Sequence, residues 1–227
     1  MTGTENKFKE LTLKQKIQYL WDYYRTPAIV TILLIFVAVT LMKTVSFNHV
    51  EYDAYCLILN DSNNEDIVNR IQEGFPAFLG NDAYKINIDN GYVFSYLEEY
   101  GLSWPDQSAV AKITSLVGTN KADMAIANYE TMLWAVHTQY IYPLDDILPK
   151  DLLEKLKPYW VYAYFKGETE NDGKIYGLDI ADTEVYKWHS DNYENAVVFI
   201  PNLEVEPNGK ASHETAIQFI KYLYNIK

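Results

Sequence analysis

An uncharged apolar run near the N-terminus limits the fold of this chain more than any other feature. The run covers residues 26–42 and contains no charged side chain. As a helix it would rise about 25 Å, at the short end of what crosses the hydrocarbon core of a bilayer, and residues up to 47 can lengthen it. Its apolar side chains surround the whole cylinder, whereas a soluble helix keeps them on one face. We therefore predict a transmembrane anchor over residues 26–47.

The segment before the anchor has the pattern of a helix that lies on a membrane surface. Thr12 and Gln15 fit a capping box, which would start the helix. The apolar residues on one face of that helix are Leu13, Ile17, Leu20, Trp21 and Tyr24. Thr26 and Pro27 can close this helix and start the next one. We predict that residues 1–25 form a cytoplasmic amphipathic or interfacial helix, separate from the anchor.

The placement of basic residues predicts how the anchor is oriented. Five basic residues precede the apolar run, whereas the next basic residue after Lys43 is Arg70. The positive-inside rule then places the N-terminus in the cytoplasm and residues 48–227 outside the cell. The region before the run is too long for a cleaved signal, and no small-x-small cleavage site follows it. We expect an uncleaved signal anchor in the cell membrane, with the lipid bilayer as a partner.

The composition of the outer part excludes several kinds of ligand. Residues 44–227 carry 13 basic and 28 acidic side chains, a balance of −15, which would repel the phosphates of nucleic acid. Cys56 is the only cysteine, so no intramolecular disulfide is possible, and its apolar neighbours predict a buried thiol. The four histidines lie far apart, and no glycine-rich phosphate loop is present. We expect neither a metal site nor a cofactor.

Strand-like and helix-like patterns alternate after the anchor. The predicted strands are residues 52–59, 84–88, 122–127, 161–165, 175–178 and 196–200. Two predicted helices begin after residue 64 and at Trp104-Pro105, and three more cover residues 130–138, 149–157 and 213–225. Residues 92–100 are predicted to be helical or irregular. Strands separated by helices predict one α/β domain over residues 48–227, with a mixed sheet.

Two stretches of this domain resemble bacterial extracellular solute-binding proteins. The first is ADMAIA at residues 122–127, followed by a helix and IYPLDDIL at residues 141–148. The second is GKIYGL at residues 173–178, which is similar to the strand by which that family crosses between its two lobes. The resemblance implies a type II periplasmic-binding-protein-like fold that captures solutes for an ABC-type transporter. About 50 residues follow Gly177, so the resemblance implies a reduced, membrane-anchored version.

Polar and aromatic residues follow the predicted strands at their carboxyl ends, where open α/β sheets bind ligands. The candidate solute-binding residues are Asn60, Asp61, Asn128, Tyr129, Asp179 and Trp188. Aromatic faces beside carboxylates suit a sugar, a peptide or a cation. Two structural roles are open for the same residues. Asn60, Asp61 and Asn128 can cap helices, and Tyr129 and Trp188 can pack in a core.

Three interpretations of function remain at this point. The leading one is an extracytoplasmic solute-binding-like module, accessory to an ABC-type transporter and in contact with a membrane permease or another membrane protein. The alternative is a structural or regulatory subunit of a membrane complex that binds protein rather than solute, which a large exposed aromatic patch would favour. An enzyme is the third. Residues 188–191 contain His, Ser and Asp, but neighbours in sequence do not form a catalytic triad, so we expect no catalytic residues.

Overall fold

The computed structural model describes residues 12–47, 51–61, 65–97, 102–119, 121–164, 173–187, 196–201 and 213–227. The chain divides into two compact units, Met1–Glu51 and Tyr52–Lys227.

The first unit contains one long helix, α1 (Leu13–Phe47). Gln15 Oε1 accepts hydrogen bonds from the backbone N–H of Thr12 (3.0 Å) and from its hydroxyl (2.9 Å), which confirms one half of the predicted capping box. Within this helix Tyr24–Lys43 has a mean hydropathy of 2.1. It is the one stretch, among the residues the structure describes, that is long and apolar enough to cross a membrane.

The predicted helix break at Thr26-Pro27 is wrong, because α1 continues through Pro27. Proline lacks an N–H, so it removes one helical hydrogen bond and crowds the preceding turn. α1 continues past Pro27 without that bond. In the next turn Thr31 Oγ1 donates to the Pro27 carbonyl oxygen at 2.8 Å. The residues before and after position 26 therefore belong to one helix, Leu13–Phe47, rather than to two.

The second unit is an α/β domain, as the alternating pattern predicted. Its strands are β1 (Ala54–Leu59), β2 (Ile86–Tyr92), β3 (Phe94–Leu97), β4 (Leu102–Pro105), β5 (Met124–Asn128), β6 (Trp160–Ala163), β7 (Lys174–Asp179) and β8 (Ala196–Phe199). Its α-helices are α2 (Glu65–Leu79), α3 (Gln107–Gly118), α4 (Tyr129–His137), α5 (Lys150–Lys155) and α6 (Glu214–Leu223). Short 3₁₀ turns lie at Leu144–Asp146 and Lys157–Tyr159.

Six of these strands form one sheet in the order β2-β1-β5-β8-β7-β6. β1 runs parallel to both β2 and β5. β8 runs antiparallel to β5 and to β7, and β6 runs antiparallel to β7. The predicted mixed sheet is therefore confirmed. The remaining strands, β3 and β4, pair antiparallel in a small separate sheet.

Each face of the large sheet is covered by its own hydrophobic core. Side chains alternate along a strand, so Cys56 and Ile58 of β1 enter one core while Leu57 and Leu59 enter the other. Residues of α2, α5 and α6 pack in the first core, and residues of α3 and α4 pack in the second. Cys56 is fully buried, which confirms the predicted core thiol, and burial raises its pKa.

The hairpin-like pair β3 and β4 is where the sequence prediction was wrong. Phe94–Leu97 is a strand rather than helical or irregular, and Trp104 and Pro105 belong to β4 rather than to a helix start. The helix begins later because Asp106 is a better cap: its Oδ1 accepts a hydrogen bond from the Ala109 N–H at 2.7 Å. The Trp104 ring lies 6.5 Å from the Trp134 ring, so a tertiary contact favours the strand.

Candidate functional site

A cavity of about 240 Å³ lies at the carboxyl ends of β5 and β7. Its lining residues are Tyr129, Glu130, Val161, Asp179 and Val197. Two of the predicted site residues, Tyr129 and Asp179, therefore meet at one cavity although 50 positions separate them in sequence. We call this cavity, with its five lining residues, the β5–β7 cleft.

One wall of the β5–β7 cleft is the turn from β5 into α4. Asn128 ends the strand and caps the helix, because its Oδ1 accepts a hydrogen bond from the Thr131 N–H at 3.1 Å. The capping role that the sequence left open for Asn128 is thus confirmed. The capped turn places Tyr129 and Glu130 in the first turn of α4, beside the strand end.

The opposite wall is the end of β7. Asp179 is the last residue of this strand, and its Oδ1 accepts a hydrogen bond from the Ala181 N–H at 2.9 Å. Its carbonyl oxygen accepts a hydrogen bond from the Tyr224 hydroxyl at 2.6 Å. Ala181 therefore holds the side chain of Asp179, and Tyr224 holds its backbone.

The apolar lining of the β5–β7 cleft comes from two strands of the sheet. Val197 of β8 lies opposite Asp179, and Val161 of β6 lies opposite Gly177 of β7. A Cβ at position 177 would clash with the Val197 side chain and would lie 2.9 Å from Met132 Sδ. Glycine at this position allows β8 and α4 to approach β7 closely.

Negative charge predominates in the β5–β7 cleft. Two of its lining side chains are carboxylic acids and none of the five is basic. Burial raises the pKa of the Tyr129 phenol, and the neighbouring Tyr164 and Glu130 raise it further. Tyr129 therefore stays a neutral hydrogen-bond donor near neutral pH.

Asn60 and Asp61 lie elsewhere along the same edge of the sheet. The Asn60 N–H donates to the Tyr92 carbonyl oxygen at 3.0 Å, and Asn60 Oδ1 accepts from the Phe94 N–H at 3.3 Å. These bonds tie the end of β1 to β2 and β3. Two strands, β5 and β8, separate β1 from β7, so Asn60 stands about 14 Å from the end of β7 at about 4.8 Å per strand. Asp61 follows Asn60, is half-buried and does not line the β5–β7 cleft. Trp188 lies outside the described residues.

Sequence reasoning missed three lining residues of the β5–β7 cleft: Glu130, Val161 and Val197. Glu130 follows Tyr129 directly, so extending the predicted rim by one residue would have included it. The two valines gave no signal, because apolar residues in strands are read as core. The two valines line the cleft because β8 lies between β5 and β7 in the sheet and β6 lies beside β7.

A polar cluster on β1, β2 and α3 was also not predicted. Asp89 Oδ2 accepts hydrogen bonds from the Tyr55 hydroxyl (2.8 Å), the Tyr92 hydroxyl (3.0 Å) and Lys112 Nζ (2.8 Å). Burial alone would raise the pKa of Asp89, but the bonds from Lys112 and Tyr55 hold it below its usual value. Because its groups bond to one another, the cluster serves to hold α3 on the sheet.

A second cavity, of about 440 Å³, lies beside α2 and α6. Arg70 and Glu184 both line it, so their opposite charges offset each other. Burial raises the pKa of Tyr222 in its wall to about 12, against the opposing effect of Arg70. The Tyr222 hydroxyl donates to the Arg70 carbonyl oxygen at 3.1 Å, which joins the two helices. We regard this cavity as a packing groove.

Comparison with known proteins does not assign the chain to a family. No protein-family model, curated protein or solved structure matches it. Among the described residues, no three His, Cys, Asp or Glu side chains are grouped so as to hold a metal ion. The features that bear on function are the geometry of the β5–β7 cleft and the apolar helix.

Proposed function

We propose that this chain is a membrane-anchored solute-binding-like module, accessory to an ABC-type transporter. In this proposal α1 crosses the bilayer, the α/β domain lies outside the cell, and the β5–β7 cleft takes a small solute. The partner in the membrane is a permease to which the solute is passed.

The observation that carries the proposal is the convergence of Tyr129 and Asp179 on one cavity at strand carboxyl ends. Ligands of open α/β sheets gather at such ends. The two sequence stretches that resemble solute-binding proteins also flank this cavity. Residues 122–127 include most of β5, and residues 173–178 include most of β7. This placement supports a periplasmic-binding-protein-like interpretation of the domain.

The size of the cavity limits the solute. Sites for drug-sized ligands usually enclose about 300–1,000 Å³, whereas the β5–β7 cleft measures about 240 Å³. A single sugar ring, one or two residues of a peptide, or a small organic cation fits that space.

A thermal-shift screen of the full-length protein in lipid nanodiscs tests the proposal. Monosaccharides, dipeptides and small amines are added one at a time. A ligand present at about 100 times its dissociation constant should stabilise the fold by about 2.7 kcal/mol. Asp179→Ala and Tyr129→Ala should abolish the shift. Asp151→Ala and Tyr162→Ala, which change exposed residues outside the β5–β7 cleft, should preserve it. A screen without any shift, or a shift that survives both cleft substitutions, would contradict solute binding at this site.

A second candidate function is a structural or regulatory subunit that binds protein. The observation in its favour is a group of exposed aromatic residues on and beside the edge strand β6. Tyr162 of β6 is 52% exposed, and Tyr159 and Tyr164, which flank the strand, are 38% and 40% exposed. An edge strand with apolar side chains is a ready site for pairing with another chain. Under this function, Tyr162→Ser with Tyr164→Ser should reduce cross-linking to a membrane partner, whereas Asp179→Ala should not.

A further inference from the structure

We propose that the solute of the β5–β7 cleft is a small organic ammonium ion rather than a neutral or anionic molecule. This inference rests on the proposed solute-binding function and specifies its ligand.

The charges around the β5–β7 cleft favour a cation. Glu130 and Asp179 place two carboxylates in the lining, and none of the five lining side chains is basic. The start of α4 opposes them with its helix dipole, which equals roughly half a positive charge. Two full negative charges outweigh it, so an anion entering the cleft would be repelled. The balance of −15 over residues 44–227 adds to this preference.

The apolar and aromatic parts of the lining favour an organic cation over a metal ion. Calcium takes about six to eight oxygen ligands, whereas Val161 and Val197 offer none. In the part of the chain that the structure describes, no three His, Cys, Asp or Glu side chains are grouped to hold a metal ion. An alkylammonium ion carries its charge on a group with an apolar surface. Its methyl groups can contact the two valines, and its charge can lie against the Tyr129 ring and the carboxylates.

A matched set of probes separates charge from shape. Choline, its neutral isostere 3,3-dimethylbutan-1-ol and the anion 3,3-dimethylbutanoate have similar size but differ in charge. Each is titrated by calorimetry into the full-length protein in nanodiscs of zwitterionic lipid. We expect choline to bind at least about tenfold more tightly than the alcohol, as one cation–aromatic contact with nearby carboxylates would provide. We expect the anion to bind most weakly, and choline binding to weaken as salt is raised.

Two charge-removing variants test the residues themselves. Glu130→Gln and Asp179→Asn keep the side-chain shapes and should each weaken choline binding about tenfold, the loss expected for one charge-assisted contact. Glu154→Gln and Asp151→Asn remove the same charge from exposed positions on α5 and should change nothing. If Asp179→Asn unfolds the domain, Glu130→Gln decides, because it leaves the bond from Ala181 to Asp179 in place.

The outcomes distinguish this inference from the function it rests on. Equal binding of choline and the alcohol, or choline binding that is unchanged in Glu130→Gln, would overturn the ammonium ligand. No binding of choline, combined with a sugar or dipeptide shift that Asp179→Ala abolishes, would also overturn it while solute capture stands. No binding of any probe, sugar or dipeptide would overturn both.

Discussion

Asp179 of β7 lies opposite Val197 of β8, and Val197 lies in turn opposite Ala127 of β5. One antiparallel strand thus separates the two strands that carry the polar walls of the β5–β7 cleft. Two strand spacings amount to about 10 Å between those walls. That gap admits a small solute, and Val197 forms its apolar floor.

Gly177→Ala should destabilise the α/β domain. The added methyl group would collide with the Val197 side chain and would lie 3.3 Å from the Val198 carbonyl oxygen. Overpacking of this kind costs about 1–3 kcal/mol, measurable as a lower free energy of unfolding in urea. Because Val197 lines the β5–β7 cleft, solute affinity should fall as well.

Gly118→Ala is the matched control for that substitution. Gly118 ends α3, and apart from its chain neighbours and the backbone of α3 no atom of the described residues lies within 4 Å of the position a Cβ would take. Alanine there should leave stability unchanged or raise it by up to about 1 kcal/mol, because it lowers the entropy of the unfolded chain. Equal effects of the two substitutions would contradict the close packing of β7 against β8.

Asp89→Asn should destabilise the fold near neutral pH by about 1.5–3 kcal/mol, the usual contribution of a hydrogen bond to a charged group. The Asn side chain cannot accept the bonds from Tyr55, Tyr92 and Lys112 as a carboxylate does. Unfolding in urea at pH 7 measures the loss. Asp82→Asn, at an exposed position, is the control.

The difference in stability between the wild type and Asp89→Asn should decrease as the pH falls. The pKa of Asp89 is lower in the folded protein, since its bonds to Lys112 and Tyr55 overcome the effect of burial. Its stabilisation is then complete above the unfolded value of about 3.9 and is lost as the pH falls below it. The wild type should therefore lose more stability than Asp89→Asn between pH 7 and pH 3. Parallel stability curves would show that Asp89 is not ionised in this cluster.

The α/β domain was largely predictable from the sequence because each strand of the large sheet has a strong local pattern. Residues 122–127, which are apolar except for Asp123, and the apolar run at residues 196–200 match β5 and β8 closely. Strand order was not predictable. The entry of β8 between β5 and β7 depends on long-range packing, including the glycine at position 177. For the same reason the sequence indicated Tyr129 and Asp179 but placed Asn60 at the same site.

The break predicted at Pro27 was also wrong. Proline often marks the first turn of a helix, but α1 continues through Pro27. The strands β3 and β4 were missed because Trp104 is held by contact with Trp134, which no local pattern encodes.

Asn60→Ala should destabilise the domain more than Asn60→Gly. Asn60 has a φ of 64°, in the left-handed region, where side chains other than Asn cost about 1–2 kcal/mol. Glycine adopts that conformation freely, so Asn60→Gly should lose only the bond from the Phe94 N–H. Urea unfolding measures both variants. If Asn60→Gly instead abolished solute binding without loss of stability, Asn60 would be a ligand residue rather than a structural one.

The proposed topology predicts the result of proteolysis on intact cells. A protease added outside should remove the residues beyond about 45 and leave a tag at the N-terminus protected, because the basic residues before the apolar stretch stay in the cytoplasm. Replacing Lys7, Lys9, Lys14 and Lys16 with Gln should weaken this orientation. Protection of the α/β domain in intact cells would contradict an extracytoplasmic location.

Blocking the β5–β7 cleft tests most directly whether it is the solute site. Val161→Trp should place an indole ring in the cavity, because Val161 lines it and lies on the edge strand β6. Val110→Trp, on α3 at a position 37% exposed and outside the β5–β7 cleft, is the control. The measurement is the dissociation constant of the strongest solute from the thermal-shift screen, by calorimetry on folded full-length protein. We predict that Val161→Trp raises it by about 100-fold or more, equivalent to about 2.8 kcal/mol, while Val110→Trp leaves it unchanged. An unchanged dissociation constant in a folded Val161→Trp variant would contradict solute binding at the β5–β7 cleft.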